Sequence, residues 1–309
     1  MIEIKNGLPT CLCSPVAVVC HDAGAANLVF AWLRDWTRLG LLDQIEFRLI
    51  LDGPAKVAWV VQEMLLPCMQ MHTELNSALS GANCVLTGTG WASHLEHEAR
   101  KLASLLRIPS IAVIDHWVNY QQRFERTENV VLPDVIWVSD PYAADMARTL
   151  FKSVDVIELP NAYLEAMVKT IPPVKEDCWT LLYVLEPMRT DWGRATPGEF
   201  QALDYFAKNI HLITGDNLAN VLLRPHPSDK PEKYTAWMQD NLKLNPKLDF
   251  FKSLNDSIAN SRWVVGAETY AMVVAIEANR DTWSSLPPWG HQCRLPQSAI
   301  KHIKDRVRN

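Results

Sequence analysis

No run of apolar residues in this 309-residue chain approaches the roughly 18 that a membrane-spanning helix requires. Charged Glu3 and Lys5 stand where a secretory leader would carry its apolar stretch, so the expected compartment is the cytoplasm. The seven cysteines form no Cys-x-x-Cys pair, which excludes a zinc ribbon and a thioredoxin motif. Cys11, Cys13 and Cys20 with His21 lack the spacing of a metal knuckle, and reduced thiols are expected. There is no His-Glu-x-x-His, and no Asp-x-Asp that would bridge a metal to a diphosphate. Neither Gly-x-Gly-x-x-Gly nor a Walker loop occurs, which disfavours an NAD enzyme and a P-loop ATPase.

What is present is ordinary in bulk, with 48% apolar and 21% charged residues, which excludes a disordered chain and a coiled coil. The net charge of -5 speaks against a general nucleic-acid binder. Residues 1–165 carry 12 Lys and Arg against 19 Asp and Glu, whereas residues 166–309 carry 18 against 16. The more basic second half suits contact with phosphate. Twelve tryptophans are many for this length, and Trp32 and Trp36 at helical spacing are expected in the core.

Short apolar runs alternate with amphipathic patterns. Strands are expected over 16–20, 47–51, 83–87, 109–114, 135–138 and 154–158, with helices between them. Residues 160–175, with Pro160-Asn161 and Pro172-Pro173, read as a linker. The alternation then restarts, with strands over 181–185, 220–223 and 261–265 and a basic helix over 297–307. Apolar strands alternating with helices imply parallel sheets buried on both faces. The expected fold is therefore α/β, with two Rossmann-like doubly wound domains, 1–165 and 176–309, facing a cleft. Ligands of such sheets bind beyond the carboxyl ends of the strands, so the residues that terminate strands are the candidates.

Arg224-Pro225-His226-Pro227 is a stiff loop offering a guanidinium fork and an imidazole, both suited to phosphate oxygens. Gly266-Ala267-Glu268-Thr269-Tyr270 runs from a strand into a helix whose free backbone N–H groups attract an anion. Glu277 lies about two turns further on, placed to meet a ribose hydroxyl. Glu186-Pro187 ends another strand of this half. In the first half, Asp115-His116 follows a buried strand and supplies groups able to accept a proton. The small-residue turns at His21 to Gly24 and at Gly88-Thr89-Gly90 let a ligand approach the backbone closely.

The Arg-x-His-Pro loop, followed by the strand, turn and helix bearing Glu277-Ala278, resembles the C-terminal half of GT-B-fold glycosyltransferases. The nearest look is to bacterial enzymes that build surface polysaccharides, including sialyltransferases that use CMP-activated sugars. Leu159-Pro160-Asn161-Ala162-Tyr163-Leu164 resembles the hinge of that fold without its glycine. After Glu277, Asn279-Arg280-Asp281 stands where Gly-Lys-Pro is usual. The resemblance covers most of the chain as architecture and is specific in residues 181–278.

It implies a metal-independent inverting glycosyltransferase that needs no cofactor, since the nucleotide sugar is a substrate. Arg224, the catalytic His226 and Thr269 would hold the donor phosphate and Glu277 the ribose, with Glu268 and Tyr270 also at the donor site and Glu186 and Pro187 near the base or leaving group. Asp115, or His116 beside it, would deprotonate the acceptor. The acceptor, a glycan or another hydroxyl compound, would meet His21, Gly24, Gly88, Thr89 and Gly90. Peripheral membrane association is compatible with this, and the basic terminal helix would cross back to the first domain. The alternatives are a sugar-nucleotide epimerase, a CDP-glycerol phosphotransferase-like enzyme, and a sugar-nucleotide-binding protein without catalysis.

Overall fold

All five side chains of Val16–Cys20 are buried, so both faces of this strand must be covered. The same holds for Cys84–Thr87, Ser110–Val113 and Val135–Val138, and helices between the strands supply the cover. A computed structural model describes residues 3–126, 129–188, 190–215, 217 and 219–307. The chain divides into two units, Met1–Tyr163 and Leu164–Asn309.

The first unit holds β1 (Val16–Cys20), β2 (Phe47–Leu51), β3 (Met69–Met71), β4 (Cys84–Thr87), β5 (Ser110–Val113), β6 (Val135–Val138) and β7 (Asp155–Glu158). They form one parallel sheet in the order β3-β2-β1-β4-β5-β6-β7. The strand order reverses between β1 and β4, which makes their carboxyl ends the switch point. The helix Ala23–Arg38 buries Leu28, Trp32, Leu33 and Trp36 on one face. Trp32 and Trp36 meet Trp137 of β6 edge-on, at 5.8 and 6.0 Å between ring centroids, an arrangement that suits the ring quadrupoles. The Trp32 indole N–H donates to the Pro160 carbonyl at 2.7 Å, so the polar atom of this core ring is satisfied.

The second unit repeats the plan with β8 (Thr180–Val184), β9 (Asn220–Arg224), β10 (Lys247–Leu248), β11 (Trp263–Gly266), β12 (Asp281–Ser284) and β13 (Lys301–His302). The order is β10-β9-β8-β11-β12-β13, all parallel, and the switch point lies between β8 and β11. Its core gathers Tyr183, Phe206, Leu223, Tyr234, Trp263, Val265 and Trp283.

The fold class expected from the sequence is therefore correct: both units are doubly wound parallel-sheet α/β folds. One element is corrected. Residues 297–307 form no long helix; they supply β13 and a short 3-10 turn at Ile303–Asp305. Lys301 lies over the Trp283 ring at 5.1 Å and pairs with Asp281 at 2.8 Å, so its stem and charge are taken up by the neighbouring strand. No helix of the described residues is long and apolar enough to cross a membrane.

Candidate functional site

In the first unit three strand ends converge. His21 and Asp22 follow β1, Gly88 to Gly90 follow β4, and Asp115 to Trp117 follow β5. The first two are stitched together by Glu96, near the start of the Leu95–Leu106 helix. The Glu96 carboxylate accepts from the backbone N–H groups of His21 (2.9 Å), Asp22 (3.4 Å) and Gly90 (2.7 Å). Burial pushes its carboxyl up to about 7, against the pull of these donors and of Arg100. A methyl group at Gly90 would fall 2.5 Å from Asp22 Cβ, so only glycine permits this closure.

Asp115 Oδ1 accepts from Arg123 Nη1 at 2.6 Å, and both side chains are largely buried. The same guanidinium nitrogen donates to Thr89 Oγ1 at 3.0 Å, and that hydroxyl donates to the Val113 carbonyl at 2.9 Å. Thr89 is thus a relay that fixes Arg123. Asp22 stands beside this pair. Burial first, and the charge of Asp115 second, raise its carboxyl above the usual range, with Arg123 opposing. Asp115 also presses on Gly24: a methyl there would lie 1.7 Å from Asp115 Oδ2. Two neighbouring carboxylates, one bound to an arginine and one raised by burial, thus stand together at these strand ends. The His21 ring packs on Gly53, and His116 Nδ1 accepts from the backbone N–H of Trp117 at 3.0 Å.

In the second unit Glu186 follows β8, and its carboxylate accepts from the backbone N–H of Glu268 at 2.6 Å, tying β8 to the turn after β11. Burial, with the Glu268 charge adding to it, pushes Glu186 up to about 7. A small recess beside it is lined by Tyr183, Glu186, Glu199, Ala202 and Ala267, while Pro187 is exposed. Arg224 is engaged inside the fold. Its Nη1 donates to Asp249 at 2.6 Å, to Ser257 Oγ at 2.9 Å and to the Phe251 carbonyl at 3.1 Å. His226 is exposed, with its Nδ1 2.7 Å from Ser228 Oγ and 3.2 Å from the Ser228 backbone N–H.

Glu268 is clamped as well. Arg294 donates to it from its backbone N–H at 3.1 Å and from Nε and Nη2, and His291 Nε2 lies 2.8 Å away. Burial works against ionisation, but these donors hold the carboxyl below its ordinary value. Thr269 caps the Tyr270–Glu277 helix, and Glu277 is exposed at its far end.

The strand ends were legible in the sequence, but Glu96, Arg123, His291 and Arg294 were not singled out. Glu96 lies four residues before Arg100 and so shares a helix face with it, the one local hint available. Among the described residues, no three His, Cys, Asp or Glu side chains converge as a metal site would require.

No family model matches the chain, and no curated protein matches it. Solved structures do. The UDP-GlcNAc 2-epimerase from Methanocaldococcus jannaschii aligns with a TM-score of 0.60 at 12% identity, over 87% of this chain and 83% of that one. S. aureus MnaA, in a co-structure with UDP, aligns at 0.58 and 12%, over 88% and 79%. The UDP-GlcNAc 2-epimerase from Neisseria meningitidis, bound to UDP-GlcNAc, aligns at 0.57 and 11%, over 87% and 82%. At such identity the likeness is one of fold, and it is to GT-B-like proteins built from the same two kinds of domain. It corrects the expectation of an inverting glycosyltransferase, because two of these three structures are named as epimerases. The finer resemblance to sialyltransferases gains no support from them.

Proposed function

We propose that this chain is a sugar-nucleotide epimerase, with UDP-GlcNAc or a close relative as substrate. The observation that carries the reading is the Asp22, Asp115 and Arg123 set at the first unit's switch point. Inverting a C–H centre needs a base on one face of the sugar and an acid on the other. Asp115, held 2.6 Å from Arg123 Nη1, takes the sugar's proton. Asp22, raised by burial and by its neighbour, returns one. Glu96 holds the two loops in register while this happens. The set serves a reaction within one sugar and calls for no acceptor. The second unit, taken by itself, offers donors suited to phosphate oxygens in the exposed His226 ring and the amino end of the Tyr270–Glu277 helix. The names of the structurally similar proteins support the same substrate class.

The test is proton NMR of UDP-GlcNAc incubated with the protein in deuterium oxide. The expected result is loss of the C2 proton signal together with growth of the C2 epimer. A protein that leaves this proton in place, and also leaves UDP-, CDP-, CMP- and GDP-sugars unchanged, is not an epimerase of sugar nucleotides.

A further inference from the structure

His291 lies on the segment that follows β12, and both of its ring nitrogens are assigned by their neighbours. The indole N–H of Trp192 points at Nδ1, 3.1 Å away. An indole nitrogen can only donate, so Nδ1 must be the unprotonated nitrogen. The ring proton therefore sits on Nε2 and is donated to Glu268 Oε1 at 2.8 Å. Glu268 in turn is fixed by Arg294. A buried carboxylate that holds one imidazole nitrogen as donor leaves the other as an oriented acceptor.

The cap on that acceptor is itself held unfavourably. Trp192 has φ 51°, in the left-handed region that a bulky side chain avoids. Its conformation is maintained by local bonds: the Trp192 backbone N–H donates to Thr190 Oγ1 at 3.1 Å, and that of Gly193 to Asp191 Oδ1 at 2.9 Å. The Trp192 ring rests on Gly290, where an added methyl would come within 3.3 Å of Cε2. A costly backbone state maintained to place one N–H on one imidazole points to a functional seat.

We propose that His291 Nδ1 is the acceptor for a hydroxyl of the bound sugar nucleotide, and that Trp192 Nε1–H occupies the seat of that hydroxyl when no ligand is bound. Glu268 and Arg294 are the positioning residues. The proposal rests on the sugar-nucleotide reading above for its ligand and on the second unit's own geometry for its site.

Diethyl pyrocarbonate modifies unprotonated imidazole nitrogens, and peptide mass spectrometry reads His291 separately from the other histidines. Trp192→Phe keeps a ring on Gly290 but removes the N–H. With one hydrogen bond released, His291 should react about tenfold faster than in wild type. UDP-GlcNAc should then restore slow modification. Trp192→Ala, checked for an unchanged melting temperature, should behave in the same way. An unchanged rate in both folded variants overturns the inference, because Nδ1 was then never capped. A faster rate that UDP-GlcNAc does not slow, although it still raises the melting temperature, also overturns it, because the ligand sits elsewhere. Either result leaves the epimerase reading standing if wild type exchanges the C2 proton. Absence of both the exchange and any thermal shift in wild type overturns the epimerase reading, and this inference with it.

Discussion

Replacing Gly24 by alanine separates the chemistry of the first site from its stability. Gly24 lies in the first turn of the Ala23–Arg38 helix, with no left-handed φ to forbid a side chain. Inside a helix, alanine is favoured over glycine by about 1 kcal/mol. The new methyl, however, would stand 1.7 Å from Asp115 Oδ2 and 2.7 Å from its Cγ. Non-bonded heavy atoms settle at about 3.5 Å, so the carboxyl oxygen must shift by roughly 1.8 Å. Its side chain is short and anchored at 2.6 Å to a buried guanidinium, so that shift strains or breaks the Arg123 pair. A misplacement of about 1 Å costs on the order of 100-fold in rate. Gly24→Ala should therefore melt within a few degrees of wild type, the helix gain offsetting the strain, while C2 exchange slows by about 100-fold or more. Asp115→Asn, which keeps shape but accepts no proton, should lose about 100- to 10,000-fold. The two measurements are thermal unfolding and the NMR exchange rate on the same preparations. A folded Gly24→Ala protein with wild-type exchange would show that the Asp115 carboxylate is not the reacting group.

Other consequences follow from the same contacts. Glu96 and Glu186 are both pushed by burial from about 4.5 to about 7, so the folded chain holds protons that the unfolded chain releases in that window. Stability from these groups is full below about pH 4.5 and is lost as pH rises through 7; Glu96→Gln should remove about one proton from that slope, and an unchanged slope would count against the burial argument. Arg224→Met leaves the fully buried Asp249 carboxylate unpaired, which should cost about 3–5 kcal/mol by urea unfolding; a midpoint like that of wild type would refute Arg224's structural role. His226→Ala removes an exposed ring, so the melting temperature should hold while turnover falls about 100-fold; normal turnover would take this loop out of the mechanism.

The long strands were legible because burial on both faces demands continuous apolar runs. Val16–Cys20 and Val135–Val138 could hardly be anything else. The edge strands were not. Lys247–Leu248 and Lys301–His302 have two residues each, carry charge, and are recognised only by the neighbour they pair with. The Arg-x-His-Pro loop announced a guanidinium at a strand end, but not its partner. Asp249 stands 25 residues further on, after β10, and a sequence gives no sign that the two meet. The same limit hid the clamp on Glu268, whose partners His291 and Arg294 lie 23 and 26 residues away.

The two units answer one problem in the same way, and the answer bears on which glutamates do chemistry. In a doubly wound sheet the loops after the strands flanking the switch point leave backbone N–H groups without ladder partners, and burial makes such donors costly. Each unit meets this with a glutamate bridging the two loops, Glu96 buried and Glu186 half-buried. Glu96 takes the N–H groups of His21 and Asp22 after β1 and of Gly90 after β4; Glu186 takes that of Glu268 across from β8 to the turn after β11. Both end near 7 for the same reason, desolvation outweighing the donors. A raised carboxyl in a cleft is usually read as a catalytic acid. The Glu96 oxygens are already committed to the backbone, Oε1 to His21 and Asp22 and Oε2 to Gly90. A glutamate that moved to meet a substrate would leave those N–H groups buried and unpaired, at about 1–3 kcal/mol each. In the epimerase reading proposed above, the acid–base work falls to Asp22 and Asp115 of the first unit, and a neutral glutamine at position 96 should disturb loop geometry through the lost Gly90 bond rather than remove a proton donor.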